Sequence, residues 1–309
     1  MSKILVTGAN GQLGQCIKWV VNSYINTDKN NEYVFVGRED LDISNGIEVD
    51  KFLKNGNFDF IINCAAFTNV NGCKDDIHSF IVNSVGPLVL TKCAKKYDVK
   101  LVHISTDYVF DGDKNIPYVE SDITNPLNCY GESKLIGEEY VLDYSKGYVF
   151  RTSWLYSIYG KNFLMTIANR IKEEKETEVV IDQVGTPTSA RSLAKFLVWF
   201  VENCDERNIE PGLYHFSNEG VCSWYDFAVA IEDCLNVNKS GFKLRKNNLI
   251  FPITTEVYEN KNNLQNEPRP SYSVLSNEKI KKYYPDINHW LIDLNNEIKF
   301  LGINGFWGN

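Results

Sequence analysis

The chain has 309 residues, 43% of them hydrophobic and 23% charged, and a formal net charge of −8. That balance excludes a disordered chain and leaves room for two closely joined domains around large cores. The acidic surplus argues against a general binder of nucleic acid or anionic membrane, so any phosphate-bearing ligand must be met by local features.

Lys3 to Thr7 is a short apolar run that leads directly into Gly8-Ala-Asn10-Gly11-Gln12-Leu13-Gly14, after which Cys16 to Val21 continues with helical character. Strand, glycine loop and helix in this order form a site for a pyrophosphate, because glycines allow close backbone approach and the helix offers free N–H groups. A polar connection from Asn22 to Asn31 precedes a second strand, Tyr33 to Gly37, followed by Arg38-Glu-Asp-Leu-Asp42-Ile43. An arginine at the tip of this strand accommodates a ribose 2′-phosphate, whereas a carboxylate there holds the free ribose hydroxyls. Arg38 therefore favours NADPH, and Glu39 and Asp40 keep NADH open. Asp42 and Ile43 lie within reach of the adenosine side, although Asp42 reads equally well as a cap for a helix starting near Gly46.

A third strand, Phe58 to Asn63, ends in Cys64-Ala65-Ala66, small residues where a cofactor backbone would pass closely. The spacing predicts a helix from about Ile77 to Tyr97, with Asn83 near its middle and able to brace a site if it faces inward. Leu101-Val-His-Ile-Ser105-Thr106-Asp107 is an apolar run that breaks into hydroxyls, as a buried parallel strand does at its carboxyl end. After a polar connection, Tyr130-Gly-Glu-Ser-Lys134 places a phenol and an ammonium on one face of a helix. This spacing predicts that Lys134 lowers the Tyr130 pKa from about 10 toward the physiological range, where the phenol acts as a general acid or base. A strand at Tyr148 to Arg151 completes an alternation of strand and helix that points to a doubly wound parallel sheet.

Beyond it, Phe163 to Glu174 and Ala190 to Glu202 read as helices, Leu213 to Ser217 as a strand and Ser223 onward as a capped helix. The stretch from Thr254 to Ser276 reads as polar and irregular. It carries Arg269, whose guanidinium offers paired donors to a diphosphate. A helix around Trp290 to Leu301 closes the chain. Eight cysteines are scattered without a C-x-x-C pair and the four histidines lack metal-ligand spacing, so no metal site is expected and the thiols read as reduced apolar side chains. The early glycine after Met1 and the lack of a long apolar run favour a cytoplasmic protein.

Together, Gly8 to Gly14, Ser105-Thr106-Asp107-Tyr-Val-Phe110 and Tyr130 to Lys134 resemble the extended short-chain dehydrogenase/reductases. Arg151-Thr-Ser-Trp154-Leu-Tyr, Asp182 to Thr188, Gly212-Leu-Tyr-His-Phe, Ser223-Trp-Tyr-Asp-Phe and Arg269-Pro narrow the resemblance to the dTDP-4-dehydrorhamnose reductase family. It implies an α/β fold, with a Rossmann cofactor domain over about 1–152 and a smaller C-terminal domain over 153–309 for a dTDP-sugar, segments near 186–217 packing on the first. It also implies hydride transfer from NADPH to a C4 ketone, with Thr106, Tyr130 and Lys134 catalytic and Asp107 and Trp154 lining the sugar pocket. Lys134 would also hold the nicotinamide ribose. Phe67-Thr-Asn-Val-Asn71-Gly-Cys-Lys74 departs from the family pattern by losing both of its acidic positions, which puts substrate contacts there in question. Some members dimerise around a magnesium ion held by glutamates where this chain has Cys16 and Arg191, so a monomer or weak homodimer is expected without a metal bridge. A non-catalytic NAD(P)-binding regulatory subunit, or a 4-ketoreductase for another nucleotide-deoxysugar, are the competing readings. The complete hydroxyl, tyrosine and lysine set speaks against the first.

Overall fold

The computed structural model describes residues 1–23, 31–74, 76–238, 249–262 and 267–303. The first half runs β1 (Lys3–Thr7), α1 (Gln12–Ser23), β2 (Glu32–Val36), α2 (Gly46–Gly56), β3 (Phe60–Asn63), α3 (Ile77–Phe80), α4 (Gly86–Tyr97), β4 (Lys100–Thr106), α5 (Cys129–Leu142) and β5 (Gly147–Thr152). There follow β6 (Leu155–Tyr156), α6 (Phe163–Lys172), β7 (Thr177–Val180), β8 (Val184–Gly185), β9 (Thr188–Ser189), α7 (Ala190–Asn203) and β10 (Gly212–His215). The last elements are β11 (Cys222–Ser223), α8 (Trp224–Asn238), β12 (Ile250–Ile253), α9 (Thr255–Asn262), α10 (Glu278–Lys281) and α11 (Trp290–Ile303).

Six strands form one sheet in the order β10-β5-β4-β3-β1-β2, every pair parallel. Alternation along each strand explains why both faces are covered. Ile4, Val6, Phe60, Ile62, Val102 and Phe150 face α1 and α7, while Leu5, Ile61, Leu101 and Val149 face α2, α4 and α5. Each such side chain, fully buried, contributes about 2 kcal/mol. β1 has β2 on one side and β3 on the other, so the loops leaving β1 and β3 diverge and open a crevice at the strands' carboxyl ends. A second apolar cluster joins α6, α8 and α11 through Leu164, Ile167, Phe227, Ile231, Leu294 and Ile298. The fold is thus α/β, a Rossmann-like parallel sheet with a smaller C-terminal unit, and β10 and α7 belong with the sheet although they follow it late in the chain. Among the described residues no helix is long and apolar enough to cross a membrane.

Four expectations need correction. The third strand begins at Phe60 because Phe58 turns to stack on Phe52 and Asp59 accepts from the Lys3 N–H. The helix from Ile77 to Tyr97 contains a π turn at Ile81–Val85, which swings Asn83 inward. The cap of α2 is Asn45, whose Oδ1 accepts from Ile47 and Glu48, while Asp42 bonds Ser44 instead. The polar stretch after Thr254 forms α9, and the preceding β12 pairs in parallel with β7. The expected connection at Asn22 to Asn31 falls largely outside the described residues, as do residues 263–266 of the expected irregular stretch.

Candidate active site

At the carboxyl end of β4, Thr106 and Asp107 are almost wholly buried. Thr106 Oγ1 donates to Asp107 Oδ1 at 3.1 Å and accepts from the Tyr108 N–H at 3.2 Å. The phenol of Tyr130, which α5 brings over the strand end, lies close enough to feel Thr106. Burial pushes the Asp107 carboxyl up to about 7, against the opposing pull of Ser273 and Thr106, and its buried Oδ2 has no hydrogen-bond partner among the described residues.

Tyr130 and Lys134 share the expected face of α5, but their electrostatics differ from the expectation. Desolvation raises the phenol well above its ordinary value, with Asp107 adding to the rise and Thr106 opposing it. Lys134, 1% exposed, donates to the Ile104 carbonyl at 2.6 Å and lies 3.2 Å from His103 Nε2. Burial lowers its ammonium from 10.5 to about 8. Burial outweighs the neighbouring cation, so Tyr130 is a protonated phenol at neutral pH. That is the state a proton donor requires.

Bracing of α5 follows from local chemistry. Asn128 Oδ1 accepts from the Gly131 N–H at 2.9 Å and caps the helix. Gly131 is required by close approach, since a Cβ there would sit 2.1 Å from the Tyr108 carbonyl oxygen. Asn83 in the π turn holds both polar groups of Phe67, accepting at 2.9 Å and donating at 3.0 Å, and donates to Ser133 Oγ at 3.0 Å. One turn past Lys134, Glu138 forms a buried forked pair with Arg151 on β5, with Nη2 to Oε2 at 2.6 Å.

A cavity of about 1090 Å³ is lined among others by Phe163, Arg170, Trp224, Tyr258, Lys261 and Arg269. Its wall mixes aromatic faces with cations and with Glu176, Glu178 and Glu259, Lys261 being paired with Glu178, which leaves Arg170 and Arg269 as the cations for an anionic group. Arg269 is exposed at the cavity and its charge acts on the Tyr108 phenol, whose ring stands edge-on to Tyr130 at 5.8 Å. Trp154 is not in the wall. Its backbone has φ +46°, and its indole stacks on Trp224 at 3.5 Å, so it supports the tryptophan that is.

The second crevice is that of β1 and β3. Gly8 has φ +65°, and a Cβ on it would sit 2.6 Å from the Ala65 nitrogen. The glycine loop is thereby packed against Cys64-Ala65-Ala66, and a Cβ on Gly14 would meet Ala9 Cα at 2.6 Å. Asn10 lies against Gly37, while the Gln12 side chain is turned to the Leu155 carbonyl at 3.2 Å, which leaves Gln12 and Leu13 to offer backbone groups at the start of α1. Arg38 is exposed beyond β2. Asp40 Oδ2 accepts the Gly37 N–H at 2.8 Å, and Ser44 holds the Asp42 carboxyl below its usual range. Ile43 is in the core against Gly86, so only its backbone can face a ligand.

The family model described as "RmlD substrate binding domain" matches residues 2–301. The chain belongs to the RmlD family. It is 35% identical to a dTDP-4-dehydrorhamnose reductase of Burkholderia thailandensis over 91% of this chain and 93% of that one. Among solved structures, a dTDP-4-dehydrorhamnose reductase of Clostridium acetobutylicum is 37% identical with a TM-score of 0.83, covering 97% of this chain and 99% of its own. That of Bacillus anthracis, in complex with NADP, is 31% identical with a TM-score of 0.84, covering 96% and 98%.

The chain is thus an NAD(P)H-dependent oxidoreductase of the RmlD family. The glycine cradle packed on Ala65 and an α1 whose first turn carries no acidic residue fit a dinucleotide. At Phe67–Lys74, Asn71 lines the cavity, and Lys74 pairs with Glu267 at 3.7 Å. Cys16 and Arg191, where the resemblance leads us to expect no metal bridge, make other contacts. Arg191 pairs with Glu297 at 2.8 Å between Trp19 and Phe300, and burial pushes the Cys16 thiol up to about 12. Sequence reasoning missed Tyr108, Asn128, Trp224, and the buried pair Asn63 and His103. For His103 there was a signal, a lone imidazole in an otherwise apolar strand.

Proposed function

We propose that the protein reduces the C4 ketone of dTDP-4-dehydro-β-L-rhamnose to give dTDP-L-rhamnose, the last step in forming that sugar nucleotide, with NADPH as the reductant. The observation that carries this reading is the juxtaposition of Thr106, at the end of β4, with the Tyr130 phenol, and of Lys134 buried one helical turn behind. Thr106 and Tyr130 hydrogen-bond the ketone oxygen, where negative charge develops, and each such donor is worth about a hundredfold in rate. Tyr130, held as a phenol by desolvation, gives that oxygen its proton. Lys134 holds the nicotinamide ribose and supports the phenolate that remains. The nicotinamide supplies the hydride when bound.

Residues up to about 152 hold the cofactor through Gly8, Asn10, Gly11, Gln12, Leu13, Gly14, Cys64, Ala65, Ala66, and the Arg38, Asp42 and Ile43 corner. Residues 153–309 mainly hold the sugar nucleotide. Arg269 meets the diphosphate, and Trp224, backed by Trp154, offers a stacking face to the base. NADPH is favoured because Arg38 is exposed at the tip of β2 and Asp40 is engaged with the Gly37 N–H. The NADP bound by the Bacillus anthracis relative supports the same choice. The test is to offer purified protein the dTDP-4-dehydro sugar with NADPH or NADH and follow nicotinamide oxidation. No turnover under conditions where both cofactors bind would sink the proposal. An unchanged NADPH preference in Arg38→Ala would remove Arg38 from it.

A further inference from the structure

Thr7, Asn63 and His103 are register partners on β1, β3 and β4, and they point to the face of the sheet covered by α5. Only one placement of hydrogens satisfies them all. Asn63 Oδ1 accepts from the Ala65 backbone N–H at 3.2 Å and from Thr7 Oγ1 at 2.7 Å. A backbone N–H can only donate, so the orientation of the Asn63 amide is fixed and its Nδ2 must donate to His103 Nδ1, 3.0 Å away. The imidazole is neutral, because burial and the adjacent Lys134 hold its pKa well below 6.5. Its single proton is therefore on Nε2, which faces Lys134 Nζ at 3.2 Å. An N–H cannot accept, so this contact is a hydrogen bond only when Lys134 is an amine offering its lone pair. An amine still has a hydrogen for the Ile104 carbonyl at 2.6 Å.

We propose that His103 is a positioning residue that sets the protonation equilibrium of Lys134 by presenting a fixed N–H donor to its nitrogen, with Asn63 and Thr7 locking the tautomer. The other groups facing Lys134 act differently. Glu138, from the same helix, favours the ammonium, and Cys64, from the loop after β3, is kept a neutral thiol by burial that pushes it up to about 12. Desolvation keeps Tyr130 a neutral phenol as well. Burial leaves Lys134 titrating at about 8, close enough to neutrality for a ligand with new acceptors to draw a proton onto it. The chain of contacts starts at Thr7, directly before the glycine loop, so a shift of that loop reaches the lysine through side chains alone.

The inference rests on the reading of Lys134 as the supporting cation, and its test is made on the ligand-free protein so that the two can fail separately. The Lys134 side chain is followed by carbon NMR across pH in lysine-labelled protein, its signal assigned with Lys134→Arg. His103→Leu removes the donor and should move the titration up by about one pH unit, whereas His103→Gln, which keeps an N–H, should stay near the parent value. Asn63→Asp accepts from Nδ1 and turns Nε2 into an acceptor for the ammonium, so it too should move the titration up, and it serves if the leucine variant does not fold. A titration unmoved or lowered in His103→Leu, or in Asn63→Asp where that variant stands in, would overturn the proposal. The pH profile of turnover should follow the same shifts, which a merely structural role would not produce.

Discussion

The side-chain amide of Asn128 donates to the Pro268 carbonyl at 2.8 Å and so fastens the segment carrying Arg269 to the start of the helix carrying Tyr130. The same residue caps that helix through Oδ1. One asparagine thus sets both the phenol and the arginine. Asn128→Ala should cost about 1 kcal/mol of stability from the lost cap and raise KM for the sugar nucleotide several-fold. Asn128→Asp keeps the acceptor and loses the donor, so it should retain stability while still raising KM. Denaturant unfolding beside steady-state kinetics separates the two, and equal stability losses in both variants would refute the division.

The buried pair Glu138 and Arg151 carries a second expectation. Glu138→Gln leaves the guanidinium without its counter-charge and should cost about 3–5 kcal/mol in urea unfolding. Glu138 also raises the Lys134 pKa, so its loss should shift the alkaline limb of kcat/KM to lower pH. A fully stable variant, or a limb displaced upward, would contradict this.

Asp107 should make the protein less stable as pH rises. Its carboxyl titrates at about 7 in the folded state against 3.8 as the ordinary value, so the native protein binds the extra proton between those values. Stability attributable to this group is present below that window and lost across it as pH rises to about 7. Asp107→Asn should therefore gain stability relative to the parent protein from pH 4 to pH 7, by up to a few kcal/mol, and the difference should level off above. A difference that does not vary with pH would show that Asp107 titrates normally.

Gly131→Ala should damage activity through geometry. The added methyl would lie 2.1 Å from the Tyr108 carbonyl oxygen, so the start of α5 must move, and Tyr130 moves with it. A fall in kcat of tenfold or more is expected, with a stability loss of roughly 2 kcal/mol. Gly46→Ala, where the methyl would meet only Val89 Cγ1 at 3.9 Å, is the control and should be close to neutral. Matching behaviour of the two variants would remove the close approach as the cause.

Much of this was legible in the sequence. The glycine loop, the alternation of strand and helix and the shared helix face of Tyr130 and Lys134 follow from local pattern, the choice of Thr106 came from the family resemblance, and the orientation of Asn83, left open by its spacing, is set by the π turn. What escaped depended on tertiary contacts. α9 has too few apolar residues to show a period, and it forms against β7, where Lys261 pairs with Glu178 at 2.7 Å. The direction of the Tyr130 shift was misread because four-residue spacing suggests the neighbouring charge but says nothing of how much water the phenol loses. Asn63 and His103 are 40 residues apart in sequence, and only the register of β3 on β4 puts them side by side.

The claim on which the account turns is that Tyr130 gives the proton to the reduced ketone. Tyr130→Phe removes that hydroxyl while keeping the ring beside Tyr108, so its kcat on the dTDP-4-dehydro sugar should fall a hundredfold or more, with NADPH affinity measured by fluorescence within a few-fold of the parent protein. A variant that folds, binds NADPH and turns over within a few-fold of the parent rate would contradict the account at its centre.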